Sequence, residues 1–404
     1  MTMFRQKQAL TITLFVLALT SCAKDPVAAP AIRRLSPHAG AVVDEAAAAL
    51  PALWAREVTG QSDNGAFYDL LLPQNWNGRL VVVIHGLIDP ALPVAPIART
   101  AAVDTAGAHG YAFAFSSFAE NGWAIKSGVQ STHELTGLFT DAFGRPSHVY
   151  LYAQSMGGLI ALDLAESYPT QYDGVVSECG IIGGSDARLR YMIDTRLLFD
   201  YFYPGILQGN ALGVPPGIDL TNGIRLPARN AILANMAAAR TIAAIAQTPI
   251  PYTTDPELES SLEDQLFRHA REINDVIARG HGEPPVDRST YTSSTLDPDL
   301  LARINDSVPH FSVGNYAAHY AAQYYEPTGD LHIPVLSLYT DRDPALPAVL
   351  SDTIYSQRLA ARNNSAMFRR QRAAAYGHCT GKLADRVNAL RALVTWAENA
   401  TAPW

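Results

Sequence analysis

One serine-centred turn constrains this chain more than any other stretch: Ala153-Gln154-Ser155-Met156-Gly157. Before it lies a strand-like run over 148–152, and after it a helical pattern runs from Gly158 to Tyr168. A strand that turns at once into a helix needs small residues beside the turning position, because the turn is tight and strained. The usual pattern is Gly-x-Ser-x-Gly, and Ala153 stands here at the first small position. Such a turn lifts its serine above the edge of a sheet, the layout of a nucleophile elbow. The plainer alternative is a serine that caps a helix, which any α/β protein can contain. Other parts of the chain must separate the two.

Apolar or alternating runs at 67–72, 80–84, 111–115, 148–152, 174–177, 334–339 and 367–375 read as strands. Helical patterns fall at 97–108, 130–143, 156–168, 348–362 and 383–398. That alternation predicts an α/β fold, a mostly parallel, doubly wound sheet covered on both faces, with a site at the carboxyl ends of its strands. The segment 186–330 departs from it. Helical patterns at 189–202, 228–246, 258–279 and 316–325 are separated by breaks such as Gly213-Val214-Pro215-Pro216-Gly217. This reads as a helical cap, or lid, inserted into a core made of 46–185 and 331–404.

A net charge of −8 without a basic patch argues against nucleic acid as a partner. The amino terminus carries Arg5 and Lys7, an apolar run over 9–19, and Leu19-Thr20-Ser21-Cys22. It reads as an export signal over 1–22, too short to span a bilayer. Its ending resembles a bacterial lipobox, which implies that Cys22 is lipidated and attaches the protein to a membrane. With Ala23 rather than aspartate next, the expectation is a periplasmic or cell-surface protein anchored in the outer membrane. The alternative is an ordinary cleaved signal with an incidental Cys22. The Ala- and Pro-rich stretch over 23–45 reads as a flexible tether. Cys179 and Cys379 are then left in an oxidising compartment, where a disulfide can form.

A serine hydroxyl is a weak nucleophile until a base takes its proton, so the elbow calls for a carboxylate and a histidine later in the chain. After the run at 334–339 comes Thr340-Asp341-Arg342-Asp343-Pro344-Ala345-Leu346-Pro347, and after the last strand comes Tyr376-Gly377-His378-Cys379. With these motifs the chain resembles the α/β-hydrolase superfamily from Phe67 to Trp396. The family's Gly-x-x-Asp-x-x-Val-Pro loop aligns with 340–347, which implies Asp343 as the catalytic acid, with Asp341 as its competitor. His378 is the implied base and Ser155 the nucleophile. His85-Gly86-Leu87, after the strand at 80–84, matches the family's His-Gly motif. The backbone amides of Leu87 and Met156 are the expected oxyanion donors, and His85 is expected to shape its loop.

A cysteine directly after the catalytic histidine resembles tannases and feruloyl esterases, in which the partner cysteine directly precedes the nucleophile. Gln154 holds that place here, so the family's linkage does not carry over. Cys179 ends the strand after the elbow helix, near the edge where His378 should sit, and a Cys179–Cys379 bridge is expected, two buried thiols being the alternative. Closing so long a loop stabilises by up to about 5 kcal/mol. Glu178 could serve as a displaced acid, but Asp343 fits better. Phe199, Tyr201, Phe202 and Tyr203 read as cap core, or as the lining of an acyl pocket. The other histidines lack metal-ligand spacing, so neither metal nor cofactor is expected.

The function these residues imply is hydrolysis of small-molecule or oligomeric carboxylic esters through an acyl-serine. A prolyl-peptidase-like serine peptidase or aminopeptidase is the first alternative, with Glu257, Glu259, Glu263 and Asp264 available for a free amino group. A non-catalytic binding lipoprotein is the second.

Overall fold

The structure, a computed structural model, describes residues 53–403. The export signal over 1–22, its Cys22 and the tether over 23–45 are expectations from the sequence, and all of them lie outside the described residues. One sheet holds β1 (Trp54–Gln61), β2 (Phe67–Pro73), β3 (Arg79–Ile84), β4 (Ala112–Ser116), β5 (His148–Gln154), β6 (Gly174–Glu178), β7 (Val335–Arg342) and β8 (Phe368–Tyr376). Its order is β1-β2-β4-β3-β5-β6-β7-β8. β1 and β2 pair antiparallel, as do β2 and β4, and every pair from β4 to β8 is parallel. This is the mostly parallel, doubly wound sheet of the α/β-hydrolase fold. β1 was not legible as a strand because only Trp54 in it is buried. An edge strand wet on both faces has no need of an apolar run.

Side chains alternate across a strand, so a sheet buried on both faces builds two cores. Leu80, Val82 and Ile84 point to one face with Leu151, Ala153 and Val175. That core is closed by α2 (Ile125–Phe143), α3 (Gly157–Ser167) and α10 (Asp352–Ala361). Val81, Tyr150, Val176 and Leu336 point to the other face, which α1 (Ala101–Gly107) and α11 (Leu383–Asn399) cover.

Between β6 and β7 run α4 (Ser185–Phe202), a π-helical turn (Leu220–Arg225), α5 (Leu226–Ala234), α6 (Met236–Ala243), α7 (Asp255–Arg279), α8 (Pro298–Ser307) and α9 (Asn315–Tyr324). The helix read over 228–246 is two helices. Asn235 leaves helical geometry at φ −144° and its side chain accepts the Ala238 amide, capping α6. α8 went unread among polar residues, although Asp297 caps it by accepting the Leu300 amide at 2.9 Å and Pro298 opens it.

The segment buries ionisable groups. His269 is fully buried on α7, its Nε2 2.9 Å from the Ala211 carbonyl oxygen. Burial, with the Arg196 charge nearby, pushes its pKa down to about 3. The unfolded chain takes up that proton near pH 6.5 while the folded one refuses it. Stability is therefore lost as pH falls from about 6.5 towards 3, by about 5 kcal/mol at full effect. Asp194, buried and raised to about 6, acts oppositely between about pH 4 and 6. The variant isolates the histidine: chemical denaturation of His269→Gln should give a shallower acid loss than wild type, and parallel pH profiles would exclude this origin.

Candidate active site

Ser155 stands between β5 and α3 with φ +52°, a left-handed conformation that is costly for a residue with a side chain. Its amide donates to the Glu178 carbonyl at 3.1 Å, and its own carbonyl accepts the Gly158 and Ile181 amides. A Cβ at Gly157 would run into the carbonyl oxygens of Ile84 and His85, and one at Gly158 into the Cα of Gly180. Ala153 is wholly buried between Ile84 of β3 and Ser177 of β6, so the site has room for one methyl group. Ser155 does not cap α3. Met156 holds the cap position, no side chain bonds to the helix end, and the serine Oγ lies 2.8 Å from His378 Nε2.

His378 follows Gly377, whose φ of +108° turns the chain back at the end of β8. Its Nδ1 lies 2.7 Å from Asp343 Oδ2. Asp343 is 2% exposed, and its Oδ1 accepts the amides of Ala345 at 2.9 Å and Leu346 at 3.0 Å. Asp341 is turned away and forms an ion pair with Arg372, which holds its carboxyl below the usual range. Ser155, His378 and Asp343 thus come together, and Asp341 does not join them.

Glu178 is not a displaced acid. Its buried carboxylate accepts from Tyr152 Oη, Gln154 Nε2 and Arg386 Nε at 2.9, 2.8 and 2.7 Å. Arg386 also donates to the Cys379 carbonyl at 3.0 Å, so the pair holds the histidine loop against β6. On the acid side, Tyr191 Oη and Gln265 Nε2 both donate to the Pro344 carbonyl, at 3.1 and 2.6 Å. α4 and α7 therefore hold the Asp343 turn. Sequence reading missed Arg386, Tyr191 and Gln265 as supports because each acts on a group distant in sequence, Arg386 on the Glu178 carboxylate and the other two on the Pro344 carbonyl.

Cys179 and Cys379 are bridged, with Cα atoms 5.3 Å apart. Gln154 pairs in register with Glu178, so Cys179 sits one residue beyond the position opposite the elbow. Both cysteines take positive φ, 45° and 54°. His378 and the two sulfurs form the one three-residue group of metal-ligand type among the described residues, and the sulfurs are already bonded to each other.

Leu87 and Met156 border a cavity of about 150 Å³ that Ser155 and His378 also line. Among the described residues neither amide donates to a protein acceptor. Gly86 brings the loop close, since a Cβ there would lie 2.9 Å from Ser155 Cβ. His85 stacks on Phe118 at 3.9 Å and its Nδ1 lies 2.6 Å from the Gly86 carbonyl oxygen. Burial lowers its pKa and keeps the ring neutral, in keeping with a loop-shaping part. The aromatic group on α4 packs on itself, Phe199 on Tyr203 at 4.7 Å and Tyr201 on Phe202 at 4.9 Å. It does not line the cavity.

No protein-family model matches the chain, and no curated protein matches it in sequence. Among solved structures it is similar to feruloyl esterase B from Aspergillus oryzae, with 16% identity, 86% of this chain and 81% of that chain covered, and a TM-score of 0.45. Tannin acyl hydrolase from Aspergillus niger gives 13%, 86%, 78% and 0.45 in the same order. Acylaminoacyl peptidase from Pyrococcus horikoshii gives 10%, 85% and 0.40, and the match spans 40% of that longer chain. The sheet order, the strained elbow and the sequence order of serine, aspartate and histidine mark this chain as one with the α/β-hydrolase fold.

Proposed function

We propose that the protein is a serine hydrolase that cleaves carboxylic esters through an acyl-Ser155 intermediate. The observation that carries this reading is the unbroken chain from Ser155 Oγ through His378 to Asp343, at 2.8 and 2.7 Å, opening on a cavity. In the first half-reaction His378 Nε2 takes the hydroxyl proton as Ser155 Oγ adds to the ester carbonyl. The oxyanion is held by the free amides of Leu87 and Met156, each donor worth about 3 kcal/mol in the transition state. His378 then gives its proton to the leaving alcohol, and the acyl group stays on Ser155. Water, deprotonated by the same imidazole, releases the acid and restores the serine. Asp343 holds Nδ1 protonated throughout and stabilises the imidazolium.

A fluorophosphonate probe should label the folded mature protein on Ser155, located by peptide mapping. Absence of labelling would return the protein to the non-catalytic binding alternative. The aminopeptidase alternative needs a carboxylate free for an amino group. Glu257, Glu259, Glu263 and Asp264 instead face Arg342, Arg229, Arg225 and Arg268, and none of the four lines the cavity. Ester cleavage is therefore the reading the site supports best. Lipid attachment at Cys22, and with it an outer-membrane location, is part of the same proposal and rests on the sequence.

A further inference from the structure

α4 and α7 bring three guanidiniums to the wall of the cavity above Ser155: Arg188, Arg268 and Arg271. Of the carboxylates near them, Glu272 accepts Arg271 Nη2 at 2.6 Å and lies 3.6 Å from Arg188 Nη2. Asp264 takes Arg268 Nε at 2.7 Å. Asp343, which also bonds to His378 and two amides, acts on Arg268 as a third negative charge. Three cations thus face three carboxylates, and of those three only Glu272 lines the cavity, so its wall presents more guanidinium than carboxylate. Arg188 is 3% exposed, and Arg271 Nε is buried without a partner. Asp264 and Asp343 do not line the cavity, so an anion bound there meets the guanidiniums without displacing these partners. The guanidiniums therefore gather on the wall of the cavity that also holds the nucleophile. The rest of the wall includes apolar side chains such as Leu87, Trp123, Ile181 and Leu346.

We infer that the substrate is a small carboxylic ester carrying a carboxylate close to its scissile bond, the carboxylate binding to the guanidiniums of Arg188, Arg268 and Arg271 in the cavity wall. This rests on Ser155 being the acyl acceptor. The planar guanidinium fork matches a carboxylate in two-point contact. A volume of about 150 Å³ admits a benzene-sized group, which suits a small ester. The fit is to a small ester whose carboxylate sits on the acyl or on the alcohol part. Its hydrolysis consumes one water and yields a carboxylate, an alcohol and one proton, the recognised carboxylate staying on one of the two products.

The test compares near-isosteric esters on the full-length mature protein by pH-stat. Monomethyl glutarate against methyl valerate places the carboxylate on the acyl part, and 4-acetoxybenzoate against 4-methylphenyl acetate places it on the alcohol part. The charged member of one pair should have a kcat/KM at least about tenfold higher, the worth of one charge-assisted hydrogen bond. Arg268→Gln and Arg271→Gln should each shrink that ratio several-fold, and Arg271→Lys should restore part of it. Thermal melts check that the variants fold. Active enzyme without preference in either pair, or a preference that survives both glutamine variants, would overturn the carboxylate site and leave the hydrolase reading standing. If no ester is turned over, calorimetry of monomethyl glutarate with Ser155→Ala decides: binding weakened about tenfold by Arg268→Gln sustains the site although the hydrolase reading has failed. No binding overturns the site.

Discussion

Ser155→Ala should lower kcat for a short p-nitrophenyl ester by about 10⁶, to the residual rate that binding and the oxyanion donors sustain alone. The loss is that large because no other hydroxyl stands within reach of His378 Nε2, whose one partner among the described residues is Ser155 Oγ. The fold should not suffer. The serine side chain makes no bond to the helix it precedes, and its backbone bonds to Glu178, Gly158 and Ile181 are kept by alanine. The melting temperature should therefore shift by no more than a surface substitution would cause. Ser155→Gly sharpens the point. Glycine adopts φ +52° freely, so relief of about 1–3 kcal/mol of strain should offset the extra freedom of the unfolded chain. That variant should be equally inactive and at least as stable. Turnover retained by either variant would remove Ser155 from the mechanism.

The parts of this molecule legible in the sequence are those written in short local patterns. The elbow shows itself through Gly157 and Gly158, because the carbonyls of Ile84 and His85 and the backbone of Gly180 forbid a side chain there. The central strands β3 to β7 show themselves because burial on both faces demands apolar residues at odd and even positions alike. What stays hidden depends on register and on contacts across the fold. β1 carries a single buried residue and reads as loop. Asn235 splits a helical pattern through a backbone angle that composition does not encode. Glu178 and Arg386 become a clamp on the histidine loop only once β6 lies beside β5 and α11 packs against them. The bridge is intermediate. The sheet sets Cys179 one residue past the strand position opposite Gln154, so a disulfide beside the histidine is reached from β6 rather than from the elbow. The cationic wall of the cavity was the least legible. Arg188 and Arg268 are far apart in sequence, and on the sequence alone a helix face with alternating charges reads as solvated.

Asp343→Asn should cost about 10⁴ in kcat while leaving the loop in place, and hydrogen-bond geometry explains why so small a change does so much. The Oδ1 position accepts two backbone amides, from Ala345 and Leu346, so only an oxygen can sit there. An asparagine must then put its NH₂ group in the Oδ2 position, against His378 Nδ1. That group donates, which forces Nδ1 to accept and moves the ring proton to Nε2. Nε2–H then points at Ser155 Oγ and can no longer take its proton. The loss should appear in kcat at nearly constant KM, since substrate does not touch the buried acid. Asp341→Asn is the control for the competing assignment. Asp341 pairs with the largely exposed Arg372, away from His378, and an ion pair of that kind contributes little, so activity should stay within about twofold of wild type. A reversed order of effects, with Asp341→Asn the more damaging variant, would transfer the acid's role to Asp341 and require a histidine loop other than the one seen here.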